Sequence, residues 1–538
     1  MKLAALLTAV SLAALATAPA LSQELPHLQR NGKAIQLMVD GKPYIGLGGE
    51  LHNSAPSSPA YMAPIWDKLE KNGVDTVVGV ASWEQVEPVE GQYDFAAVDD
   101  QIAQAKAHNI KLVMIWFGAY KNGTSTYAPH WVRADEERFP RAERDPDFKS
   151  TRPLREDPVL SVFSDELAES DAKAFAALMA HIESVDTDQT VIMVQVQNEV
   201  GLLHESRDRS PTADAAWGEQ VPAALIDYIT ENRENLRPEL LAPWARHGSL
   251  TEGTWAEVFG SDNLAEEIFM TWGFADYIER VAKAGSAEYG LPMYANAWLG
   301  PQLGAPNPGD YPTGGPVARM MDVYKAAAPT LVLLAPDIYV TDFEGTLVDF
   351  KRDDNPIFIP EARFDAGNLF VALGKYDAIM FAPFGIEDKD DDQVFQAYHF
   401  LDDMTDMIAT AQQDGTIYGF RIPAGGGDTH EMAGYDLQIT QNRGQQGAFG
   451  TGTATADETG TEGYGFVINT GPDEFLLVGR AFAVNFAKDG SDVEVSFAQE
   501  GVFEDGEWVP GRIFNGDERR RLIPPDSLRA VKVRLLTR

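Results

Sequence analysis

The feature that most constrains the fold is a regular alternation of short apolar runs with longer helical stretches between about residues 35 and 400. Eight apolar runs are present, at residues 43–49, 75–80, 111–117, 190–196, 292–297, 331–336, 356–359 and 378–382. Stretches with helical periodicity separate them, for example residues 60–71, 96–108 and 165–181. Eight strands alternating with helices predict an α/β fold of the (β/α)8 TIM barrel type. A doubly wound open sheet is the alternative, but no glycine-rich phosphate turn supports it.

The last quarter of the chain has a different texture. After about residue 415, short segments with period-two alternation lie among glycine-rich stretches, including the Gly/Thr-rich run 450–463. This pattern predicts a smaller C-terminal β-sandwich-like domain. We therefore expect the barrel at residues 23–410 and the β domain at residues 411–538. The β domain either binds carbohydrate or buttresses the barrel, and the second role is favoured.

A long helical, tryptophan-containing stretch from about residue 203 to residue 288 follows the fourth predicted strand. It is expected on the active face of the barrel, as either a specificity element or a set of packing helices.

Two glutamates stand at the ends of predicted strands. Glu199 follows the fourth strand and Glu361 follows the seventh. Burying an unpaired carboxylate is costly, so packing alone does not explain these positions. Because barrel catalysis takes place at the carboxyl ends of the strands, the two carboxylates are expected to converge on one substrate bond. A structural ion pair, for example between Glu199 and Arg363, is the alternative.

Charge and composition exclude several classes of function. The chain carries 82 acidic and 43 basic residues, a net charge of -39, which repels nucleic acid, anionic lipid and acidic substrates. It has no cysteine, so disulfides and thiolate metal sites are excluded. The histidines show no zinc-binding spacing, and neither a metal nor another cofactor is expected. A neutral carbohydrate is the expected partner, and a homo-oligomer remains open.

The N-terminus has the composition of a secretory signal peptide. Lys2 precedes an apolar Ala/Leu run, and small residues near position 20 offer cleavage sites. We expect a signal peptide at residues 1–22 and a periplasmic or secreted protein. An uncleaved membrane anchor is the alternative.

Several motifs together resemble those of glycoside hydrolases of clan A. Gln197-Asn198-Glu199 after an apolar strand is similar to the acid/base motif of that clan, and residues 82–95 resemble the Trp…Glu-Pro…Gly…Asp-Phe signature of families 35 and 42. Residues 48–52, 116–122 and 127–131 extend the similarity. Over about three quarters of its length the chain resembles a bacterial family 35 β-galactosidase-like protein with an added C-terminal β domain.

The resemblance implies a retaining exo-glycosidase that releases terminal β-D-galactose from oligo- or polysaccharides by a double displacement. It implies that Glu199 is the acid/base and Glu361 the nucleophile. It further implies that Asn198 holds the sugar 2-hydroxyl and that Tyr339 lies near the nucleophile. Arg363 or Tyr339 is expected to keep the nucleophile ionised.

Other candidate substrate-binding residues come from their position at strand ends. Trp83, Trp116 and Trp298 are candidates for a platform that stacks on a sugar face, although each could equally belong to the core. Glu50 and Glu84 are candidate sugar contacts, with a structural salt bridge as the alternative for each.

Two positions depart from the family pattern. Residues 121–124, which include the candidate sugar contact Asn122, replace a Cys-Ala-Glu-Trp stretch whose glutamate contacts galactose, and Val80 replaces a tyrosine. A β-glucosidase or β-mannosidase of the same clan, or a non-catalytic carbohydrate-binding protein on a retired barrel, are therefore the alternatives.

Overall fold

The computed structural model describes residues 24–144, 159–441, 462–520 and 522–538. The predicted signal peptide and most of the Gly/Thr-rich run 450–463 lie outside these ranges. No helix in the described ranges is long and apolar enough to cross a membrane.

The chain begins with a small antiparallel sheet made of β1 (His27–Asn31), β2 (Ala34–Val39) and β3 (Lys42–Tyr44). Leu37 and Val39 of β2 pack against side chains of the barrel lumen such as Val113 and Ile192, which lie near the amino-terminal ends of their strands. The sheet therefore forms the floor of the barrel. Residues 43 and 44, which were predicted as the start of the first barrel strand, belong to this floor instead.

Eight parallel strands form a closed barrel, which confirms the predicted fold class. They are β4 (Gly46–Glu50), β5 (Thr76–Ser82), β6 (Lys111–Lys121), β7 (Val191–Asn198), β8 (Met293–Trp298), β9 (Leu331–Ile338), β10 (Ile359–Ala362) and β11 (Met380–Pro383). β11 pairs with β4 through Met380 opposite Gly46, which closes the ring. Nearly every residue of these strands is buried, as expected for parallel strands covered by helices.

Helices cover the barrel between the strands. They are α1 (Pro59–Lys71), α2 (Trp83–Val86), α3 (Ala96–Ala107), α4 (His130–Ala134), α5 (Asp165–Val185), α6 (Pro211–Trp217), α7 (Ala223–Glu231), α8 (Pro238–Arg246), α9 (Trp255–Phe259), α10 (Asn263–Glu288), α11 (Met321–Ala327), α12 (Phe343–Phe350), α13 (Ala366–Lys375), α14 (Gln393–Leu401) and α15 (Thr405–Asp414). Side-chain caps fix the starts of the long helices: Ser164 accepts from Leu167 N at α5, and Asp262 accepts from Ala265 N at α10.

The predicted insert after the fourth strand is shorter than expected. α10 packs along α5 and is the barrel helix that leads into β8, so only α6 to α9 are additional to the barrel.

The C-terminal part forms two antiparallel sheets. Its strands are β12 (Ile417–Ile422), β13 (Gly427–Met432), β14 (Tyr435–Gln441), β15 (Gly463–Gly471), β16 (Glu474–Arg480), β17 (Phe482–Ala487), β18 (Val493–Glu504), β19 (Glu507–Ile513) and β20 (Arg529–Thr537). A six-stranded sheet packs on a three-stranded sheet of β13, β14 and β17 around a core that includes Phe420, Leu437 and Phe475. The other face of the large sheet contacts the barrel, where Phe466 packs on Phe370 of α13.

The seam between the first and last barrel strands is fastened by one buried tyrosine. The Tyr398 hydroxyl of α14 lies 2.7 Å from the carbonyl oxygen of Gly48 in β4 and 2.9 Å from that of Phe381 in β11. One hydroxyl hydrogen thus serves two carbonyl groups on the two strands that close the ring.

Replacing Tyr398 with phenylalanine should destabilise the protein by about 1–2 kcal/mol, because two buried carbonyl oxygens lose their shared donor. The urea midpoint of unfolding measures this change. Tyr61→Phe is the control, since that ring is 55% exposed and its substitution should leave the midpoint unchanged. Equal midpoints for Tyr398→Phe and Tyr61→Phe would show that the seam does not depend on this hydroxyl.

Candidate active site

A cavity of about 340 Å³ opens at the carboxyl ends of the barrel strands. Its lining residues come from the ends of β7, β8, β9 and β10 and from the segments that follow β6, β8 and β9. They are Asn122, Glu199, Trp298, Leu299, Gln302, Asp337, Tyr339, Val340 and Glu361. A polar cavity in this position is where barrel enzymes place their catalytic residues.

Three carboxyl groups meet in this cavity. One oxygen from each of Glu199, Asp337 and Glu361 lies within 4.8 Å of the others. For Glu199 and Glu361 this spacing agrees with the separation of about 5–5.5 Å between the two carboxyl groups of a retaining glycosidase. Acidic groups at such distances also occur without a bound ion, and we assign no metal to the cluster.

An unusual backbone turn carries Glu199 into the cavity. Gln197 and Glu199 have φ values of 65° and 43°, in the left-handed region that non-glycine residues seldom adopt. The turn is held by the Glu199 backbone N–H, which donates to Asn296 Oδ1 of β8 at 3.0 Å. The side chain of Gln197 donates at 2.8 Å to Asp171 of α5. The turn thus directs Gln197 outward to the helix layer, whereas the period of two in a regular β-strand would place it on the same side as Glu199.

Glu361 receives a short hydrogen bond. The Tyr339 hydroxyl donates to Glu361 Oε1 at 2.5 Å. Burial raises the pKa of Glu361 above its ordinary value, while the Tyr339 hydrogen bond and the positive charge of Lys121 act to lower it. Tyr339 and Lys121 therefore favour the ionised form of a carboxyl group that burial alone would neutralise.

Asp337 is the third carboxyl group. Its Oδ2 accepts a hydrogen bond from Asn296 Nδ2 at 2.7 Å, so Asn296 joins the turn at Glu199 to β9. Burial, and after it the negative charges of Glu361, Glu199 and Glu50, raise the pKa of Asp337 well above its ordinary value. Protonated Asp337 can donate a hydrogen bond within the cluster.

Glu50 lies at the end of β4, 1% exposed, and neither of its carboxyl oxygens has a hydrogen-bond partner among the described residues. Burial and the charge of Glu361 raise its pKa well above the ordinary value, and Lys121 opposes this shift. Burying a carboxyl group without a hydrogen-bond partner costs free energy. Such groups are typical of sites that bind a ligand.

The remaining predicted site residues divide into two sets. Asn122, Tyr339 and Trp298 line the cavity, and Asn198 is buried beside it with its side-chain oxygen bound to Lys121. Trp83 and Trp116 do not line it. Both are fully buried, and their indole N–H groups donate to Glu87 and Asp171. They belong to the layer between strands and helices, so the platform expected from three tryptophans is reduced to Trp298.

Glu84 and Arg363 also lie outside the cavity. Glu84 is 3.9 Å from Arg133, which matches the salt bridge considered as its alternative. Arg363 is exposed, and among the described contacts none joins it to Glu199 or Glu361. Arg363 or Tyr339 was expected to keep Glu361 ionised. In the structure, Tyr339 and Lys121 are the residues that favour its ionised form.

Three polar residues in or beside the barrel strand ends were missed from the sequence, namely Lys121, Asn296 and Asp337, as were the lining residues Leu299, Gln302 and Val340 that follow β8 and β9. The three polar residues lie at or near the ends of β6, β8 and β9. The rule that identified Glu199 and Glu361 applies equally to them. Applied to all eight strand ends, it would have found them.

Two family models match the chain. Residues 60–238 match the model described as Beta-galactosidase, that of glycoside hydrolase family 42, and residues 394–524 match a Domain of unknown function (DUF5597). Over residues 60–238, which include β5, β6 and β7 of the barrel, the chain is therefore similar to β-galactosidases, and the match supports glycoside hydrolase activity. The expected assignment to family 35 is not supported, because the matching model is that of family 42. No curated protein matches the chain in sequence.

Solved structures with a similar chain path include three enzymes. The β-galactosidase of Bacillus circulans sp. alkalophilus is 14% identical, with a TM-score of 0.45 and coverage of 69% of this chain and 57% of that one. The β-galactosidase of Halorubrum lacusprofundi is 14% identical, with a TM-score of 0.43 and coverage of 68% and 57%. Endo-glycoceramidase II from Rhodococcus sp. is 13% identical, with a TM-score of 0.38 and coverage of 92% and 98%.

The chain thus spans less than two thirds of the length of these β-galactosidases. At such identities and TM-scores the likeness carries no conclusion about activity.

Replacing Glu50 with glutamine should stabilise the protein at pH 8 by about 1–3 kcal/mol, because it removes a buried carboxyl group without a partner. The folded state raises the pKa of Glu50, whereas the unfolded chain keeps the ordinary value of 4.5. The free energy of unfolding of the wild type therefore decreases as the pH rises above 4.5. The difference in this free energy between Glu50→Gln and wild type should shrink towards zero at pH 4.

Urea midpoints at pH 4 and pH 8 measure the effect. Glu137→Gln, at an exposed position, is the matched control and should change neither midpoint. A variant that is less stable than wild type at pH 8 would show that Glu50 is satisfied in the folded protein.

Proposed function

We propose that the protein is a retaining exo-β-galactosidase that releases terminal galactose from oligo- or polysaccharides. The single observation that carries this proposal is the placement of Glu199 and Glu361 at the ends of two barrel strands, with carboxyl oxygens within 4.8 Å of one another. That distance leaves no room for a water molecule between an acid and a base on opposite faces of the sugar, so it favours direct attack by one carboxylate.

Glu361 is the proposed nucleophile. The Tyr339 hydroxyl and the charge of Lys121 both favour its ionised form. In the first step its carboxylate attacks the anomeric carbon as the bond to the leaving oxygen breaks, which forms a glycosyl-enzyme. A carboxylate that is buried, yet ionised by defined neighbours, is suited to this step.

Glu199 is the proposed acid and base. It protonates the leaving oxygen in the first step and takes a proton from water in the second, when that water cleaves the glycosyl-enzyme. The acidic groups Asp337 and Glu361 lie within 4.8 Å of it. The negative charge of the ionised nucleophile Glu361 favours the protonated form of a neighbouring carboxyl group, which the first step requires.

Polar groups without partners surround the pair and would receive the sugar hydroxyls. Among the described residues these are both oxygens of Glu50 and the side-chain nitrogen of Asn198. Trp298, at the end of β8, supplies a flat apolar surface at the cavity wall for one face of the ring. The segment after β8 adds Leu299 and Gln302 to that wall, which favours an end-on site over an open cleft.

The proposed location is the periplasm or the exterior of the cell. This part of the proposal rests on the composition of residues 1–22 alone.

The proposal predicts that the mature protein hydrolyses nitrophenyl β-galactoside in preference to the β-glucoside and β-mannoside. Because two displacements preserve configuration, proton NMR should show β-galactose as the first product. Preferred turnover of another sugar would keep the mechanism but replace the specificity. Sugar binding by calorimetry without hydrolysis over days would favour the binding-protein alternative.

Glu361→Ala should abolish turnover of the β-galactoside, and added azide should restore it with an α-galactosyl azide as product. Glu199→Ala should lower kcat by about 10²–10⁴-fold, because general acid catalysis is lost. Glu84→Ala is the control, since Glu84 pairs with Arg133 outside the cavity and its loss should leave turnover nearly unchanged. Ordinary turnover by Glu361→Ala would disprove the assignment of the nucleophile.

A further inference from the structure

Lys121 is a buried ammonium group at the end of β6, 8% exposed. Its Nζ donates to Asn122 Oδ1 at 2.9 Å and to Asn198 Oδ1 at 3.1 Å, and it lies 4.4 Å from the centre of the Phe117 ring. Three contacts of this kind fix the ammonium group in one place.

Lys121 decides which way two amide groups point. An ammonium group has three donors and no acceptor, so only the oxygen of each asparagine side chain can face it. The nitrogen of Asn198 is therefore directed away from Lys121, and it is buried without a partner among the described residues. A buried amide donor left open in this way needs an acceptor from outside the protein.

Lys121 lies in a site whose other titratable side chains are acidic groups and tyrosines. Titratable groups contributed by the neighbouring elements are Glu50 of β4, Glu199 after β7, Tyr294 of β8, Asp337 of β9, Tyr339 after β9, Glu361 of β10 and Glu387 after β11. Among the described residues, Lys121 is the cation whose charge acts on both Glu50 and Glu361.

We propose that Lys121 is a positioning residue for glycoside cleavage, which turns the nitrogens of Asn198 and Asn122 towards the substrate as hydrogen-bond donors and supplies positive charge to the acidic site. The inference rests on the proposed function and extends it. The site then recognises a sugar whose 2-hydroxyl oxygen accepts a hydrogen bond from Asn198. An enzyme with a carboxylate in place of Lys121 would turn the same amides the other way.

The test compares nitrophenyl β-galactoside with its 2-deoxy analogue in wild type, Lys121→Met and Lys121→Arg. In wild type, loss of the 2-hydroxyl should lower kcat/KM roughly 100-fold or more, because contacts to this hydroxyl strengthen in the transition state. Lys121→Met should lower kcat/KM for the β-galactoside about 10- to 100-fold. In this variant the 2-deoxy penalty, which is the ratio of kcat/KM for the β-galactoside to kcat/KM for its 2-deoxy analogue, should fall to about 10-fold or less. Lys121→Arg keeps charge and donors and should retain most of the penalty.

The pH profile gives a second readout, which a merely structural role would not move. Without the lysine charge the pKa of Glu361 rises, so the acidic limb of kcat/KM in Lys121→Met should move to higher pH. Lys121→Arg should keep the wild-type limb. Lys111→Met removes a lysine from the opposite end of the same strand and should leave the limb and the 2-deoxy penalty unchanged.

Circular dichroism and the thermal midpoint verify that each variant is folded. An unchanged 2-deoxy penalty together with an unchanged acidic limb in folded Lys121→Met would overturn the inference, even if overall activity fell. If wild type cleaves no glycoside, the proposed function fails. The same comparison is then made by calorimetry with galactose and 2-deoxygalactose: a preference for galactose that Lys121→Met loses supports the inference, and any other result overturns it.

Discussion

The burial of four carboxyl groups around one ammonium group is the constraint on which the site depends. Glu50, Glu199, Asp337 and Glu361 come from four different strand ends, and Lys121 of β6 is the cation whose charge acts on Glu50 and Glu361. In a buried setting they cannot all be ionised, because burial and the negative charges of Glu361 and Glu199 raise the pKa of Glu50 and of Asp337. The cluster must hold protons and charges together at neutral pH. The repulsion among these carboxyl groups can therefore keep one of them protonated, as an acid requires, and leave another ionised, as a nucleophile requires.

The barrel has to hold these groups in place against their repulsion. Glu199 enters on a left-handed turn, and Asn296 binds both that turn and Asp337, so three neighbouring strands are joined at the point of greatest conflict. Strained backbone of this kind persists only where the surroundings over-determine it. Below the site, the apolar side chains of the lumen pack against the floor sheet, and this packing offsets the free-energy cost of burying the carboxyl groups.

Much of this arrangement could be predicted from the sequence. Parallel strands buried on both faces are nearly continuous apolar runs, so all eight were found, with ends displaced by up to four residues. Glu199 and Glu361 were found because a carboxylate at the end of such a run has no packing explanation. The floor sheet was missed because β1 and β2 mix polar and apolar residues, and nothing local indicates what they pack against.

The side-chain directions were harder to predict. A tryptophan near a strand end suits either the core or a sugar platform, and only the register of the folded barrel places Trp116 against Asp171 and Trp298 at the cavity. The period of two also failed at Gln197, because its left-handed backbone breaks the alternation. Departures of this kind occur where function, and not local propensity, fixes the chain.

The same charges bear on the chemistry of the substrate. A sugar with a carboxylate or sulfate group would enter a cavity lined by Glu199, Asp337 and Glu361, on a chain of net charge -39, and would meet repulsion from each. Lys121 does not offset this repulsion, because its ammonium group already donates to Asn122 and Asn198. The positive charge thus acts within the protein, through the asparagines and the nucleophile. Under the proposed function, the substrate is therefore recognised by neutral hydrogen bonds, which suits an unsubstituted sugar.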